Sequence, residues 1–167
     1  LSFFIKTMII IVTGSVGTGK TSIAVIIADD LGYEYVSGND IIEKYNLCER
    51  YDKARKCKVI DERKFAKVLV KMINASKRSL VIDSHMSHFI PSKYVDLCVV
   101  TKCDLKTLKS RLRKRKYGKN KVTENIEAEI FDVCHEEAKE IKHKIIVVDT
   151  TFTPKDVMRR IRKALKL

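Results

Sequence analysis

The chain has no apolar run approaching the roughly 20 residues that a membrane-spanning helix needs, so no membrane partner is expected. Its five cysteines, Cys48, Cys57, Cys98, Cys103 and Cys134, are an odd number, with no CxxC pair and no histidines at zinc-finger spacing. Neither a disulfide framework nor a zinc module follows, and reduced thiols in a cytoplasmic chain are the expectation. Cys48 and Cys57 would need a distant histidine to bind a metal, and spacing alone does not supply one. Internal repeats and low-complexity tracts are also missing, which excludes repeat arrays and biased tails. The opening LSFFIKT lacks a basic leading region and a small-residue cleavage site, so it reads as a short extension before a natural start at Met8 rather than a targeting segment.

Acidic residues are scarce: 21 Asp and Glu stand against 34 Lys and Arg, a formal charge of +13. This favours polyanionic partners such as nucleotides or RNA without choosing between them. At 167 residues, 45% hydrophobic and 33% charged, the chain has the size and balance of one soluble globular domain, 1–167.

Short β-branched runs alternate with helical patterns. Ile9–Val12 reads as a buried strand, and further strands are expected at Tyr33–Val36, Ser79–Asp83, Asp96–Val100 and Lys144–Asp149. Helices are expected at Lys20–Leu31, ended by Gly32, and at Asp61–Ala75, Asp104–Arg115, Thr123–Ile141 and Pro154–Leu165. The last has Thr153 as its cap. Strand–helix alternation implies an α/β fold, a parallel sheet covered on both faces. Two polar segments interrupt it, Ser37–Ile60 and Lys114–Glu124, and these are read as inserts flanking a ligand cleft.

Between the first strand and the first helix lies GSVGTGKT, which meets every fixed position of G-x-x-x-x-G-K-[ST] in the required context. Gly14, Gly17 and Gly19 allow backbone conformations that turn successive N–H groups toward an anion. Lys20 is then expected to reach the β- and γ-phosphates of ATP, Thr21 to ligate Mg²⁺, and Ser22 to reach the α-phosphate. Thr101-Lys102-Cys103-Asp104 imitates the guanine-reading [NT]-K-x-D of GTPases. The D-x-x-G that should accompany it occurs only at Asp29–Gly32, inside the first expected helix, so Asp104 is read as a helix cap.

The strand end LVIDSH offers Asp83 as a second Mg²⁺ group acting through water, and His85 either as a group that positions water or as a polar loop histidine. His88 has no such companion and is read as bland. The basic cluster Arg111, Arg113, Lys114, Arg115, Lys116, Lys119 and Lys121 straddles Gly118. Most of it reads as a solvated face, but a closing loop could deliver one arginine to a transferring phosphoryl group, and Arg115 is the candidate.

Four stretches together, GSVGTGKTS, RYDKARKCKVIDE, DSH at Asp83–His85 and RKYGKNKVTENIEAEIF, resemble the dual adenylate kinase/ATPase family of archaea and the eukaryotic nucleus, which acts in small-subunit ribosome maturation. The resemblance covers nearly the whole chain from Met8. It implies a nucleoside-monophosphate-kinase fold, a P-loop NTPase with a five-stranded parallel sheet. It further implies ATP binding by Gly17, Gly19, Lys20, Thr21, Ser22 and Arg115, an AMP-covering insert at 37–60, and a lid at 114–124. Asp83 and His85 match the motif tied there to ATP hydrolysis. Glu43 and Lys44 depart from the arginine expected toward the acceptor phosphate, and Lys58 stands where a proline would follow Cys57. The implied activity is ATP + AMP to two ADP with an ATPase linked to rRNA maturation. The implied partners are ATP, AMP, a small-subunit platform ribosomal protein and weak rRNA contact. An assembly switch with little kinase activity, or a kinase for another small acceptor, remain the alternatives.

Overall fold

The structure is a computed structural model that describes residues 6–167. Residues 1–5, within the stretch LSFFIKT read above as an extension, lie outside the described residues. In chain order the elements are β1 (Ile9–Thr13), α1 (Lys20–Leu31), β2 (Glu34–Ser37), α2 (Gly38–Lys44), β3 (Cys48–Asp52), β4 (Cys57–Ile60), α3 (Glu62–Ala75), β5 (Leu80–Asp83), β6 (Leu97–Lys102), α4 (Leu105–Lys114), α5 (Lys119–Ile130), α6 (Val133–Glu140), β7 (Ile145–Asp149) and α7 (Pro154–Leu165). Two short 3-10 turns, Ser87–Phe89 and Ser92–Tyr94, lie between β5 and β6.

Five strands form one parallel sheet in the order β2-β5-β1-β6-β7, while β3 and β4 form a separate antiparallel hairpin. The all-apolar composition of β1 follows from its central place, where both faces are covered. Ile9 and Ile11 face a core shared with Phe65, Leu69 and Ile73 of α3. Ile10 and Val12, one step out of phase along the strand, face Ile23 and Ile27 of α1 and Val157 and Ile161 of α7. The register pairs Val12 with Asp83, Ser37 with Asp83 and Thr13 with Val100, so the carboxyl ends of β1, β2, β5 and β6 gather at one edge. In open parallel sheets ligands bind at that edge. No helix among the described residues is long and apolar enough to cross a membrane.

The expected caps occur. Gly32 ends α1 at φ 68, Asp104 accepts from the Thr107 N–H, and Thr153 accepts from the Asp156 N–H ahead of Pro154. The single helix expected over Thr123–Ile141 is instead two, because Asp132 adopts a left-handed φ of 56 between α5 and α6. The Asp132 carboxylate pairs with the Lys102 ammonium and lies 2.9 Å from His135 Nδ1. α5 also starts four residues earlier, so much of the segment read as a polar loop is helical. The other polar segment, 37–60, holds α2 and the β3–β4 hairpin. Ile41 and Ile42 of α2 are buried against the sheet, so this end of it is packed into the core.

Candidate active site

The loop from Gly14 to Gly19 is shaped by what surrounds it. At Gly14, φ is +144 and a Cβ would lie 2.5 Å from Thr101 Oγ1 and 2.6 Å from the Thr101 carbonyl, so only glycine fits. Thr101 itself is buried. Its hydroxyl bonds Thr18 Oγ1 at 2.7 Å and donates to the Thr13 carbonyl at 3.2 Å. The apparent guanine-reading motif is thereby consumed in holding the loop, with Lys102 paired to Asp132 and Asp104 capping α4.

Lys20 folds back over the loop and donates to the Ser15 carbonyl at 3.0 Å. That carbonyl also accepts from the Thr18 hydroxyl at 2.7 Å. Burial in the cleft holds the ammonium below its usual pKa; the Asp83 carboxylate opposes this and the Arg115 cation adds to it. A polyphosphate entering here would restore the electrostatic partner that the ammonium has lost from water.

Beside it the Thr21 hydroxyl donates to Asp83 Oδ2 at 2.6 Å, and the Tyr35 hydroxyl donates to the same oxygen at 2.9 Å. Asp83 is buried, while Thr21 and Ser22 are exposed on the first turn of α1. The Tyr35 phenol is pushed up to about 12 by desolvation and by the neighbouring carboxylate. Two hard oxygens from Thr21 and Asp83, at the start of the helix that follows the glycine loop, suit Mg²⁺ bound through one direct ligand and one water.

His85 follows on the loop after β5 and is exposed. Its pKa lies below 6.5, first from desolvation and then from the Lys20 charge. Because the ring reaches solvent, repulsion by Lys20 is the sounder reason for the direction. At neutral pH it is an uncharged imidazole at the mouth of the cleft.

Arg115 is exposed at the C-terminal end of α4, close enough for its charge to act on Lys20. One turn earlier, Arg111 Nη1 donates to the Gly17 carbonyl at 3.2 Å and to Thr150 Oγ1 at 3.3 Å. Arg111 therefore touches the loop directly. In the sequence it belongs to the basic cluster around Gly118, most of which reads as a solvated face; its four-residue spacing from Arg115 puts both on one helix face. Leu108 and Leu112 pack against Gly17 from the same helix.

His88 was read as bland, and the structure buries it: the ring is 1% exposed, with Nδ1 2.7 Å from Thr13 Oγ1 and Nε2 2.8 Å from Glu137 Oε2. Its pKa is pushed down to about 4 by burial. Thr13 Oγ1 also lies 3.4 Å from the His85 carbonyl, so His88 links α6 to the loop that carries His85. Elsewhere, the ligand atoms of Asp132, His135 and Glu136 lie within 4.8 Å of one another. The Lys102 ammonium already pairs with that cluster.

A family profile described as an AAA domain matches residues 10–132. The chain is 36% identical over 160 residues to the "Putative adenylate kinase" of Thermococcus onnurineus, covering 95% of this chain and 84% of that one. It is 33% identical over 138 residues to the "Adenylate kinase isoenzyme 6 homolog" of Caenorhabditis elegans, covering 83% and 76%. The chain belongs to the adenylate kinase-like family. Among solved structures, a shikimate kinase from Acinetobacter baumannii in complex with shikimate superposes with a TM-score of 0.67 at 15% identity, covering 98% of this chain and 96% of the other. A sugar kinase from Janibacter reaches the same TM-score at 19% identity, covering 96% and 95%. At such identities these likenesses show the P-loop kinase fold alone.

Proposed function

We propose that the chain is an adenylate kinase that moves the γ-phosphate of ATP to AMP, with a slower ATPase reaction at the same site. The observation that carries this reading is the Thr21–Asp83 contact of 2.6 Å beside Lys20, a metal-ready pair next to a phosphate-ready cation. Thr21 and, through a water, Asp83 would hold Mg²⁺, which when bound would supply neutralising charge to the phosphate oxygens. Gly17 and Gly19 turn backbone N–H groups inward, Ser22 stands at the α-phosphate end, and Lys20 follows the charge that moves onto the bridging oxygen. Arg115, with Arg111 fastened to the loop behind it, faces the transferring group when the segment 114–124 closes as a lid. The segment 37–60 covers AMP, whose phosphate oxygen is the nucleophile, so no protein group attacks. The adenylate kinase names of the relatives support AMP as acceptor.

A second reading rests on His85. An uncharged imidazole two residues from Asp83 suits the positioning of a water, and hydrolysis in place of transfer would make the enzyme a nucleotide-dependent switch. The resemblance to the ribosome-maturation family and the charge of +13 support a role on the nascent small subunit, with a platform ribosomal protein as partner and weak contact to rRNA.

The kinase reading is tested by following ADP formed from Mg-ATP with and without AMP. Stimulation by AMP with two ADP per ATP consumed is the expected outcome, and AMP-independent phosphate release alone would leave the switch. Co-purification from lysate with ATP, ADP or no nucleotide tests the partner. Retention of no ribosomal protein in any condition would remove the assembly role.

A further inference from the structure

Where the tip of the β3–β4 hairpin faces the start of α5 lies an open-sided cavity of about 420 Å³. Its wall brings together Arg55 and Lys56 from the hairpin and Lys116, Lys119 and Lys121 from the opposite side, around Tyr117. None of these belongs to the glycine loop. Five cations that converge on one space repel one another, and the surrounding carboxylates do little to relieve this. Asp52 and Glu124 both pair with Arg55, at 3.6 and 3.3 Å. Among the described residues no ion pair involves Lys56, Lys116, Lys119 or Lys121. Lys121 instead lies 3.9 Å from the centroid of the Tyr117 ring.

The positive field extends beyond the cavity. Segments 49–58 and 113–121 carry eleven of the 34 cations but only two of the 21 carboxylates. That is more charge than one triphosphate can match, and it runs along two segments rather than around a point. α5 adds to it: its N-cap, Gly118, makes no side-chain cap, and its first turn holds no carboxylate. Tyr51, 56% exposed on β3 within the same basic segment, offers a flat face to a base.

We propose that this cavity is a second anion site, one that takes the phosphodiester backbone of single-stranded RNA. A slot walled on two sides and of this volume admits one strand and not a duplex. The assignment deepens the RNA-associated reading given above, and it rests on that reading for the choice of RNA as the natural polyanion. Its walls belong to the insert 37–60 and the lid segment 114–124, but holding a backbone phosphate there uses none of the glycine-loop residues.

The test is fluorescence anisotropy of a labelled oligouridylate with the full chain at two salt concentrations. Wild type binds, and affinity falls as salt rises. The charge reversals Lys56→Glu with Lys119→Glu lower affinity about tenfold or more, and they make the slope of log K against log salt shallower by about 1.4, two phosphate contacts at roughly 0.7 each. Lys155→Glu with Lys163→Glu on α7 changes the net charge equally and costs less than threefold. Lys20→Ala keeps the RNA affinity within twofold. If the cavity pair melts below wild type, Lys56→Ala with Lys119→Ala must still cost at least threefold.

Failure of the wild type to bind, equal losses in the α7 pair, or loss of RNA binding in Lys20→Ala would each overturn the proposal. So would displacement of RNA by equimolar polyglutamate, which would point to an acidic polypeptide as the ligand. AMP-stimulated ADP formation by the wild type is measured separately, so the RNA site and the kinase reading can fail independently.

Discussion

Asp83 receives two hydroxyls on one oxygen, from Thr21 and Tyr35, and stands beside the Lys20 cation. Lys20→Ala should lower phosphoryl transfer and hydrolysis alike by at least about a hundredfold, the scale of losing one charge aimed at a transition state; steady-state ADP formation checks it. Near-native turnover in that variant would remove the glycine loop from the mechanism. His85→Ala should depress phosphate release more than transfer to AMP if the imidazole organises water, and equal losses would assign it a structural role. His88→Ala leaves Thr13 and Glu137 without their shared partner and should cost about 1–3 kcal/mol in urea unfolding.

The legibility of these residues divides along one line. Lys20, Thr21 and Asp83 could be read because the backbone itself sets their spacing, loop to helix and strand end to strand end. Tyr35, His88 and Arg111 belong to no such motif: their partners lie 48, 49 and 94 positions away and are chosen by the sheet register and helix docking, as is the meeting of Thr21 with Asp83.

At the scale of elements, the junction between β2 and α2 is tight. A Cβ on Gly38 would lie 2.6 Å from Ser84 Cβ and 2.9 Å from the Asp83 carbonyl, so Gly38→Ala must push the loop after β5 away from the glycine loop. The expected outcome is a lower melting temperature together with a weaker Mg²⁺ dependence of activity. Lys142 ends α6 at φ 64 and is exposed, so Lys142→Gly should stabilise the chain by about 1 kcal/mol in the same urea assay. Helices with strong caps were visible in the sequence, α1 and α7 to the residue. The β3–β4 hairpin was not. Neither of its strands has a buried residue, and its turn passes through Lys56 at φ 51 without the glycine or asparagine that announces such turns. The break between α5 and α6 was equally hidden, since the ion pair that meets the Asp132 carboxylate there comes from Lys102 on a distant strand.

The molecule as a whole couples a neutral histidine core to stability. Burial holds His88 and His143 below 6.5 in the folded chain. The half-exposed Glu137 beside His88 does not restore the hydration of a ring that is 1% exposed. The unfolded chain therefore binds more protons as pH drops below 6.5. Stability should be level above that pH and fall from 6.5 toward about 4, by at most about 1.4 kcal/mol per pH unit for each group. Glu129 and Glu137, whose carboxyls burial holds above 4.5, act in the opposite sense near the lower end, so the loss should be clearest between pH 6.5 and 5. Urea midpoints at pH 7.5 and 5.5 check this, and an equal or higher midpoint at 5.5 would contradict it.

The central claim, that the site at the carboxyl edge of the sheet hands a phosphoryl group to AMP, is tested most directly by the fate of the label in ATP labelled at the γ position. With Mg²⁺ and AMP present, the label should appear in ADP, and Lys20→Ala should abolish its transfer. Label recovered only as inorganic phosphate, at a rate indifferent to AMP, would contradict the account.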